Sequence, residues 1–295
     1  TLLKKKKIAA IFKTDETSTL QYLQDFGFSD EIINDFFKPF FSGIFLEPNL
    51  ETSSRMFEFV YKMFGAVLPK NGIQEISNQL KSNLKNTTFK FNSPVKEVKD
   101  KEIILQNDAV LKSNITIIAT EASNLISNLK NQETAWKSCE SLYFETDKRV
   151  IQKPLIGLIA DEKSLINNIF YHTSLATSTK NNKELLSVTV VKEHQLTDLN
   201  LILRVTEDLK RFCNIDVKKF LKHYHIKKAL PKLTNLQYEI SSTETKLKAT
   251  VFLAGDQLLN GSLNAAMIAG ERAALGVIQT LEDGLIVDEL TSEYS

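Results

Sequence analysis

Four residues near the end of the chain, two glycines with an acid and a serine, are of types that hold polar ligands. In the stretch ATVFLAGDQLLNGSLNAAMIAGERAALGVIQTL an apolar run ends at Gly255-Asp256, and Gly261-Ser262 precede a run rich in small residues. A carboxylate just after a buried strand is a good acceptor for the hydroxyl groups of a sugar or polyol. A glycine lets a backbone or a ligand come close, because it has no side chain. An ordinary strand-to-helix connection would explain the same pattern without any ligand.

The residues after Gly261 are predicted to form a helix whose first turn can attract negative charge. Ser262 is of a type that commonly caps a helix start. Unpaired N–H groups and the positive end of the helix dipole lie at such a start, so an anion or an oxygen that gains negative charge is attracted there. Small residues keep the surface of this helix low: Ala265, Ala266, Ala269, Gly270, Ala273 and Ala274. Such a helix can lie close against a sheet or a flat ring system.

The amino-terminal part of the chain, to about residue 64, is predicted to be helical from the spacing of its apolar residues. Ser29, followed by two acids, has the pattern of a helix cap, and Pro39 is expected to end or kink that helix. Phenylalanine is abundant between Phe26 and Phe64, which predicts an aromatic core. The alternative is that some of these rings line a pocket for a bulky apolar ligand.

Shorter, alternating runs replace the helical pattern from about residue 69 onward. A turn in LPKNG precedes a short amphipathic helix, and TTFKFNSPVKEVKDKEIILQNDAVLKSN then predicts a small antiparallel meander. The run ITIIAT predicts a strand buried on both faces. Between about 130 and 235, SLYFET, PLIGLIA, NIFYH and ELLSVTVV predict strands, followed by a helix over LTDLNLILRVTEDLKRFC and a strand at FLKHYHIKKALP. That region is therefore predicted to be α+β.

Composition limits what the chain can bind. Its 295 residues include 37 basic and 36 acidic ones, for a net charge of +1, so we expect no nucleic-acid partner. The basic run from Lys4 to Lys7 is interpreted as a solvated helix face, and binding to an anionic surface or ligand is the alternative. Cys139 and Cys213 are too few for a disulfide framework, which predicts a reduced, cytoplasmic location. No apolar run is long enough to span a bilayer, and no signal peptide is recognised.

Two histidines, His223 and His225, are the best candidates for metal ligands in the sequence. In the run HYH they would point to one face of a strand and could bind a metal together. No third ligand is identifiable, so ordinary packing or surface positions are the better interpretation, and we predict no metal site.

The stretch FLAGDQLLNGSLNAAMIAGERAA resembles the carboxyl-terminal FAD motif of the flavin-containing amine oxidase superfamily. The phytoene desaturase-like and protoporphyrinogen oxidase-like branches of that superfamily are the closest in style. Further stretches resemble the same family in the same order: LQDFGFSDEIINDFFKPFFSGIFLEPNLETSSRMF, then LPKNGIQEISNQL with SPVKEVKDKEIIL and ITIIAT, then KKALP. The resemblance therefore covers nearly the whole chain.

The resemblance implies contacts with FAD for the residues that match the carboxyl-terminal motif. Asp256, preceded by Gly255, would bind a ribityl hydroxyl or a nearby phosphate. Ser262, Leu263 and Asn264 would start a helix whose N–H groups face the pyrimidine edge of the flavin. That edge carries extra negative charge in the reduced flavin, which the helix dipole would stabilise.

Further positions are implied to lie close to the cofactor. Val95, after the turn at Pro94, matches the residue whose backbone meets the adenine. Ala119 and Thr120 would lie at the end of the buried strand, and Gly261 would allow close approach. No general base is identifiable, so the catalytic residues are left unassigned.

The fold implied by the resemblance is α/β plus α+β, with a partial Rossmann-like FAD-binding domain interleaved with a mixed substrate-binding domain. Residues 1–68 would be the helical part of the substrate domain, and residues 131–235 its α+β part. Residues 69–130 and 236–295 would be two segments of the FAD-binding domain.

The strongest signature of the family is missing from this sequence. The family carries a GxGxxG turn for the cofactor's pyrophosphate, with an acid about 20 residues later for the ribose, whereas no GxG occurs here. Because the carboxyl-terminal motif is kept, we interpret the chain as the later part of a flavoenzyme rather than as a flavin-free protein. Alone, it is expected to bind FAD weakly or not at all and to be inactive.

The function implied by the resemblance is that of an FAD-dependent oxidoreductase, desaturase-like or dehydrogenase-like, which takes hydride from a small apolar substrate. Two alternatives stay open: an amine oxidase, and a non-catalytic protein that keeps the fold and binds a lipid-like ligand. An apolar substrate also leaves peripheral membrane contact open. No motif in the sequence identifies the substrate, the electron acceptor or the oligomeric state.

Overall fold

A computed structural model describes residues 5–63, 65, 67–126, 134–175 and 183–282 of the chain. The chain divides into two compact units, each built from two separate segments. The first unit contains Thr1–Thr87 and Trp136–Leu230, and the second contains Thr88–Ala135 and Pro231–Ser295.

Both units contain helices and strands, so the fold is mixed, as predicted. The α-helices are α1 (Ile8–Ile11), α2 (Thr19–Asp25), α3 (Asp30–Ile32), α4 (Lys38–Phe45), α5 (Ser54–Lys62), α6 (Gln74–Asn83), α7 (Asp198–Cys213) and α8 (Leu263–Leu281). The strands are β1 (Val95–Lys99), β2 (Glu102–Leu105), β3 (Val110–Lys112), β4 (Thr116–Ile118), β5 (Trp136–Thr146), β6 (Gly157–Leu158), β7 (Asn168–Tyr171), β8 (Glu184–Val190), β9 (Val217–Pro231), β10 (Lys246–Lys248) and β11 (Val251–Leu253).

The helix that begins after Ser29 continues past Pro39 instead of ending there. Ser29 accepts a hydrogen bond from the N–H of Ile32, which confirms the predicted cap. A π-helical turn, Ile33–Phe37, joins α3 to α4, and Pro39 lies in the first turn of α4. The π-helical turn directly before Pro39 is an irregularity that accommodates the proline, which therefore interrupts the regular α-helical hydrogen bonds without ending the helix.

Phenylalanine rings fill the core between the amino-terminal helices, which confirms the predicted aromatic core. The buried members of this cluster are Leu23, Ile33, Phe37, Phe41, Phe45, Leu50 and Phe57. The rings of Phe41 and Phe57 lie closest, with centroids 4.7 Å apart. Phe26, at 63% exposure, and Phe36, at 43%, lie outside this core.

The second segment of the first unit is a five-stranded sheet in the order β6-β7-β8-β5-β9. In its centre, Leu142 of β5 pairs with Val188 of β8, and Tyr143 pairs with Ser187. Leu142 and Val188 are fully buried in a cluster that includes Leu201 of α7. Since neighbouring residues of a strand point to opposite faces, Tyr143 and Ser187 lie on the face away from α7.

The predicted α+β elements of this segment are present, with different lengths. Of the run PLIGLIA, only Gly157 and Leu158 pair in the sheet, as the two-residue strand β6, and Pro154 to Ile156 lie outside it. In contrast, β5 extends beyond the predicted SLYFET to 11 residues, and β9 reaches 15 residues.

The second unit contains the predicted meander and a small sheet with parallel strands. Strands β1, β2 and β3 pair in sequence order, and Lys101 and Asp108 occupy the two turns with φ of 58° and 61°. In the other sheet, ordered β10-β11-β4, β11 runs parallel to β4, and Val251 pairs with Thr116. Strand β10, antiparallel to β11, has no counterpart among the predicted strands.

Strand β4 is less buried than its apolar sequence predicts. Thr116 and Ile118 are buried, but Ile117 is 39% exposed, so burial on both faces is wrong for this residue. Strand side chains point to the two faces of a sheet, so the described residues cover the face of Thr116 and Ile118 but leave the face of Ile117 partly open.

Helix α8 packs through small residues, as predicted. Ala265, Ala269 and Ala273 are fully buried, and Ala273 clusters with Phe252 of β11. Ala274 is exposed and does not share this role. Within the part of the chain that is described, no helix is long and apolar enough to cross a membrane.

Candidate functional site

The site begins where β11 ends, at a glycine whose backbone other residues would not adopt. Gly255 has φ of 152° and ψ of 162°, and a side chain there would also meet the side chain of Gln257. Glycine adopts such a φ at little cost. Gly255 thus joins the end of the strand segment to the short 3-10 turn Asp256–Leu258.

Asp256 follows this turn and is half-buried. Burial raises the pKa of its carboxyl above the ordinary value, since a charged group loses solvation, although the backbone N–H groups of Gln257 and Asp256 act in the opposite direction. A carboxylate that is partly desolvated and keeps free acceptor capacity is suited to bind hydroxyl donors.

The loop between Asp256 and α8 is fixed by a buried asparagine that sequence reasoning missed. Asn260 is 5% exposed and donates from Nδ2 to the carbonyl oxygen of Gln237 at 2.9 Å. Its Oδ1 accepts from the Ser262 hydroxyl at 2.6 Å, and the N–H of Gly261 donates to the Asp256 carbonyl oxygen at 3.0 Å. The position of the first turn of α8 is therefore set by side chains as well as by the backbone.

The first turn of α8 presents open hydrogen-bond donors. Ser262 is the N-cap, as predicted, and accepts from the N–H of Ala265 at 3.1 Å. Among the described residues, no acceptor is bonded to the N–H groups of Leu263 and Asn264. Both side chains are exposed, that of Leu263 by 56%. The helix start thus combines two free N–H groups, the positive end of the dipole and an apolar side chain.

The parallel pairing brings two of the predicted segments to the same end of the small sheet, the end at which its parallel strands finish. Strands β4 and β11 end side by side, and the N–H of Ala254 donates to the Ile118 carbonyl oxygen at 2.8 Å. Ala119 and Thr120, both exposed, follow β4 there, as Gly255 follows β11. Ligands of parallel sheets bind beyond the carboxyl ends of the strands, so a ligand is expected at this end of the sheet.

Val95 lies elsewhere in the same unit, at the first position of β1. It is half-buried and packs against the apolar cluster that includes Val251 and Leu253 of β11. The structure thus places β1 against the sheet that ends at the site. The contacts of Val95 and the other eight residues with FAD stay predictions.

The residues present fit one half of a site for FAD. A partly desolvated carboxylate suits a polyol chain, and free N–H groups at a helix start suit an edge that becomes negative. The glycine-rich turn that would hold a pyrophosphate is absent from the sequence. The residues present therefore suit the ribityl chain and the flavin ring of the cofactor, and not its pyrophosphate.

The histidine pair in HYH has a carboxylate partner that the sequence did not reveal. Glu140 of β5 is buried, its Oε2 lies 2.6 Å from His223 Nε2, and its Oε1 is bonded to His225 Nδ1. The partner stands on a neighbouring strand, far away in sequence. Within the described ranges, no group of three or more histidine, cysteine, aspartate or glutamate side chains is arranged to hold a metal ion.

Replacing Asp256 with asparagine is expected to remove a pH dependence of stability. The carboxyl pKa is raised in the folded protein, so its contribution is fully present below the ordinary pKa and is lost as pH rises through the raised value. Denaturant midpoints measured across the mildly acidic range should fall with rising pH more steeply for wild type than for Asp256→Asn. Parallel curves would contradict the burial of this carboxylate, and Glu271→Gln, an exposed site on α8, is the control.

Comparison with known proteins gives a family and a fold. The profile of the family described as flavin containing amine oxidoreductase matches residues 3–278, and no curated protein matches the sequence. An oxidoreductase from Methanosarcina mazei is similar in structure, with a TM-score of 0.64 and 17% identity over 93% of this chain and 70% of its own.

Two further solved structures have the same fold. A protein from Exiguobacterium assigned as a protoporphyrinogen oxidase has a TM-score of 0.62 and 14% identity, over 96% of this chain and 73% of its own. Wild-type putrescine oxidase bound to putrescine has a TM-score of 0.60 and 12% identity, over 95% of this chain and 70% of its own. At such identities the similarity concerns the fold.

Proposed function

The chain belongs to the flavin-containing amine oxidoreductase family, whose cofactor is FAD, and we propose that it takes part in hydride transfer from a small apolar substrate to the flavin. One observation carries the proposal. The half-buried carboxylate of Asp256 and the free N–H groups of Leu263 and Asn264 lie at the two ends of one fixed loop.

In this proposal, the residues of the site bind and orient the cofactor. Asp256 accepts hydrogen bonds from a ribityl hydroxyl, and Gly255 lets the backbone come close to it. Leu263 and Asn264 would donate their N–H groups to the pyrimidine edge of the flavin, and the dipole of α8 would favour negative charge there. Asn260 fixes the loop between Asp256 and α8 and so holds the carboxylate and the two N–H groups in place.

FAD supplies the chemistry when bound, since it takes up two electrons and one proton from the substrate as hydride. Oxidation of the substrate in this way would also release a second proton. The protein's part is orientation and electrostatics, and none of its side chains is assigned to the transfer of the second proton.

The preference for an apolar substrate is supported by the aromatic character of the first unit. Phe26, Phe28 and Phe36 keep exposed ring surface beside the buried cluster. Apolar surface of this kind binds apolar ligands through the area that it removes from water. An apolar substrate would be drawn from a membrane surface or a carrier, so peripheral membrane contact is part of the proposal.

The other half of the cofactor site is proposed to come from a GxGxxG unit that joins the sheet at β4. Among the described strands, β4 is the last in its sheet, and its Ile117 side chain is 39% exposed although strands of parallel sheets are normally covered on both faces. A further parallel strand would pair with β4 there, and the crossover helix that such a strand needs would cover the face to which Ile117 points. The interleaving of FAD-binding and substrate-binding domains belongs to the same proposal.

The test is the flavin content and reactivity of the polypeptide encoded by the whole reading frame that contains this chain. We expect a yellow protein whose flavin absorbance is bleached anaerobically by an apolar substrate and recovers with an acceptor. If the protein releases hydrogen peroxide when a monoamine or polyamine is added, the substrate is an amine and the proposal of an apolar substrate is wrong. A colourless protein that binds apolar ligands would contradict the proposed function.

A further inference from the structure

Four apolar side chains lie exposed along the run from the end of α2 to the start of α4, outside the aromatic core. Phe26 is 63% exposed, Phe28 36%, Ile32 40% and Phe36 43%. Phe26 stacks on Phe28 with ring centroids 5.3 Å apart, and Phe28, Ile32 and Phe36 follow at intervals of four residues. We call these four side chains the aromatic face. A contiguous exposed apolar surface of this kind marks an interaction site.

A buried ring joins and supports the aromatic face from below. Phe37, at 7% exposure, lies with its ring centroid 4.8 Å from that of Phe28 and 5.3 Å from that of Phe36. Phe36 also stacks on Phe40 with centroids 5.6 Å apart and ring planes 9° apart. The exposed rings are thus packed before any partner binds, so little side-chain freedom is left to lose on binding.

The charged groups beside the aromatic face all have the same sign. Residues 14–37 include six acids and no lysine, arginine or histidine, although the whole chain has a net charge of +1. Asp30, Glu31 and Asp35 stand next to the apolar residues of the face and are exposed. Among the described residues, none of these three carboxylates is paired with a base. They form an acidic rim, which carries no counter-charge.

Bases of the adjoining elements are already paired with other acids. Lys38, directly after the π-helical turn, lies 3.7 Å from Glu162. Arg55 belongs to α5, the helix that packs against α2, and lies 3.7 Å from Glu16. A partner that brings its own bases would therefore find the acidic rim open.

The combination of apolar surface and acidic rim selects the chemistry of the partner. Apolar area attracts leucine or phenylalanine side chains, while unpaired carboxylates attract lysine and arginine and repel other anions. An anionic membrane is disfavoured, because such membranes attract basic protein segments rather than acidic ones. A protein helix with apolar residues on one side and bases at its edges meets both requirements.

We propose that the aromatic face docks a basic amphipathic helix of a partner protein. The apolar side of that helix covers Phe26, Phe28, Ile32 and Phe36, and its lysine or arginine side chains pair with the acidic rim. The role of this partner as a carrier of the apolar substrate rests on the proposed function, whereas docking itself requires no flavin.

The test measures the binding of a fluorescently labelled peptide to the polypeptide of the whole reading frame, by fluorescence anisotropy. The peptide has about 18 residues, which form five helical turns, with leucine on one side of the helix and lysine on the other. Its counterpart has glutamate in place of lysine. We expect the lysine peptide to bind at least about tenfold more tightly than the glutamate peptide, and its affinity to fall as the salt concentration rises.

Substitutions in the docking surface separate its two components. Glu31→Gln combined with Asp35→Asn should weaken binding of the lysine peptide about three- to tenfold and make it less sensitive to salt. Phe26→Ala combined with Phe36→Ala should weaken binding more than about tenfold at every salt concentration. Circular dichroism checks that each variant is folded, as expected for substitutions of exposed side chains.

The matched control is Glu193→Gln combined with Glu207→Gln. Both glutamates are exposed in the same unit, and their substitution removes the same number of charges. The affinity of this variant for the lysine peptide should equal that of wild type within about twofold. Equal weakening by the two charge substitutions would mean that net charge alone attracts the peptide and would overturn the proposal, as would no binding of the lysine peptide to wild type.

Vesicles of phosphatidylcholine and phosphatidylserine distinguish a membrane from a protein partner. We expect no binding to them through the aromatic face; if the polypeptide sediments with the vesicles and the double phenylalanine substitution abolishes this, the face contacts a membrane and the proposal is wrong. Flavin content is measured separately. A yellow protein that does not bind the lysine peptide loses the docking surface but keeps the proposed function, and a colourless protein that binds it as expected keeps the docking surface and loses the function.

Discussion

Replacing Asp256 with alanine in the polypeptide of the whole reading frame is expected to weaken FAD binding about 10- to 100-fold. This range corresponds to one hydrogen bond to a charged group, about 1.5–3 kcal/mol. The carboxylate of Asp256 is half-buried, so in the alanine variant water cannot fully replace it as the acceptor for the ribityl hydroxyl. Titration of the apoprotein with FAD, followed by quenching of flavin fluorescence, measures the change.

Glu271→Ala is the matched control for this substitution, because Glu271 is exposed on α8 in the same unit. It should leave the FAD affinity unchanged within about twofold. Equal affinities of wild type and Asp256→Ala would remove Asp256 from the site, even if the protein proved to be a flavoprotein.

Phe41→Ala is expected to lower the free energy of unfolding by about 3–5 kcal/mol, the usual range for deleting a buried aromatic ring. The side chain of Phe41 is 1% exposed. Its ring lies 4.7 Å from that of Phe57 and 5.3 Å from that of Phe45, measured between centroids. The cavity left behind would lie within the aromatic cluster, between α4 and α5. Denaturant unfolding followed by circular dichroism measures the loss.

Phe36→Ala provides the comparison on the same run of helix. Phe36 is 43% exposed and stacks on Phe40 with centroids 5.6 Å apart. Its removal should cost about 1 kcal/mol or less. If the two substitutions cost the same, the aromatic cluster is not the core that the buried areas indicate.

The local parts of the site were predictable from sequence because short-range rules govern them. Ser262 caps α8 as its residue type favours, and Gly255 stands where the chain needs an unusual φ. Asn260 was missed because its partner, Gln237, comes from a distant segment. A buried asparagine has no periodicity of its own, so only the fold reveals it.

The departures in the fold have similar causes. Pro39 does not end its helix, because the π turn directly before it accommodates the proline, and no local sequence pattern predicts that turn. Ile117 belongs to a uniformly apolar run, yet its exposure depends on what packs over its face of the sheet, and the described residues leave that face partly open. The carboxylate that joins His223 and His225 comes from β5. Each of these features depends on contacts between segments that are far apart in sequence.

The most direct measurement is hydrogen exchange of the backbone amides with and without FAD, on the polypeptide of the whole reading frame. Slower exchange on FAD addition is expected in residues 255–264, and most of all at Leu263 and Asn264, whose N–H groups lack an acceptor in this structure. Flavin binding that leaves the exchange of this segment unchanged would contradict the site.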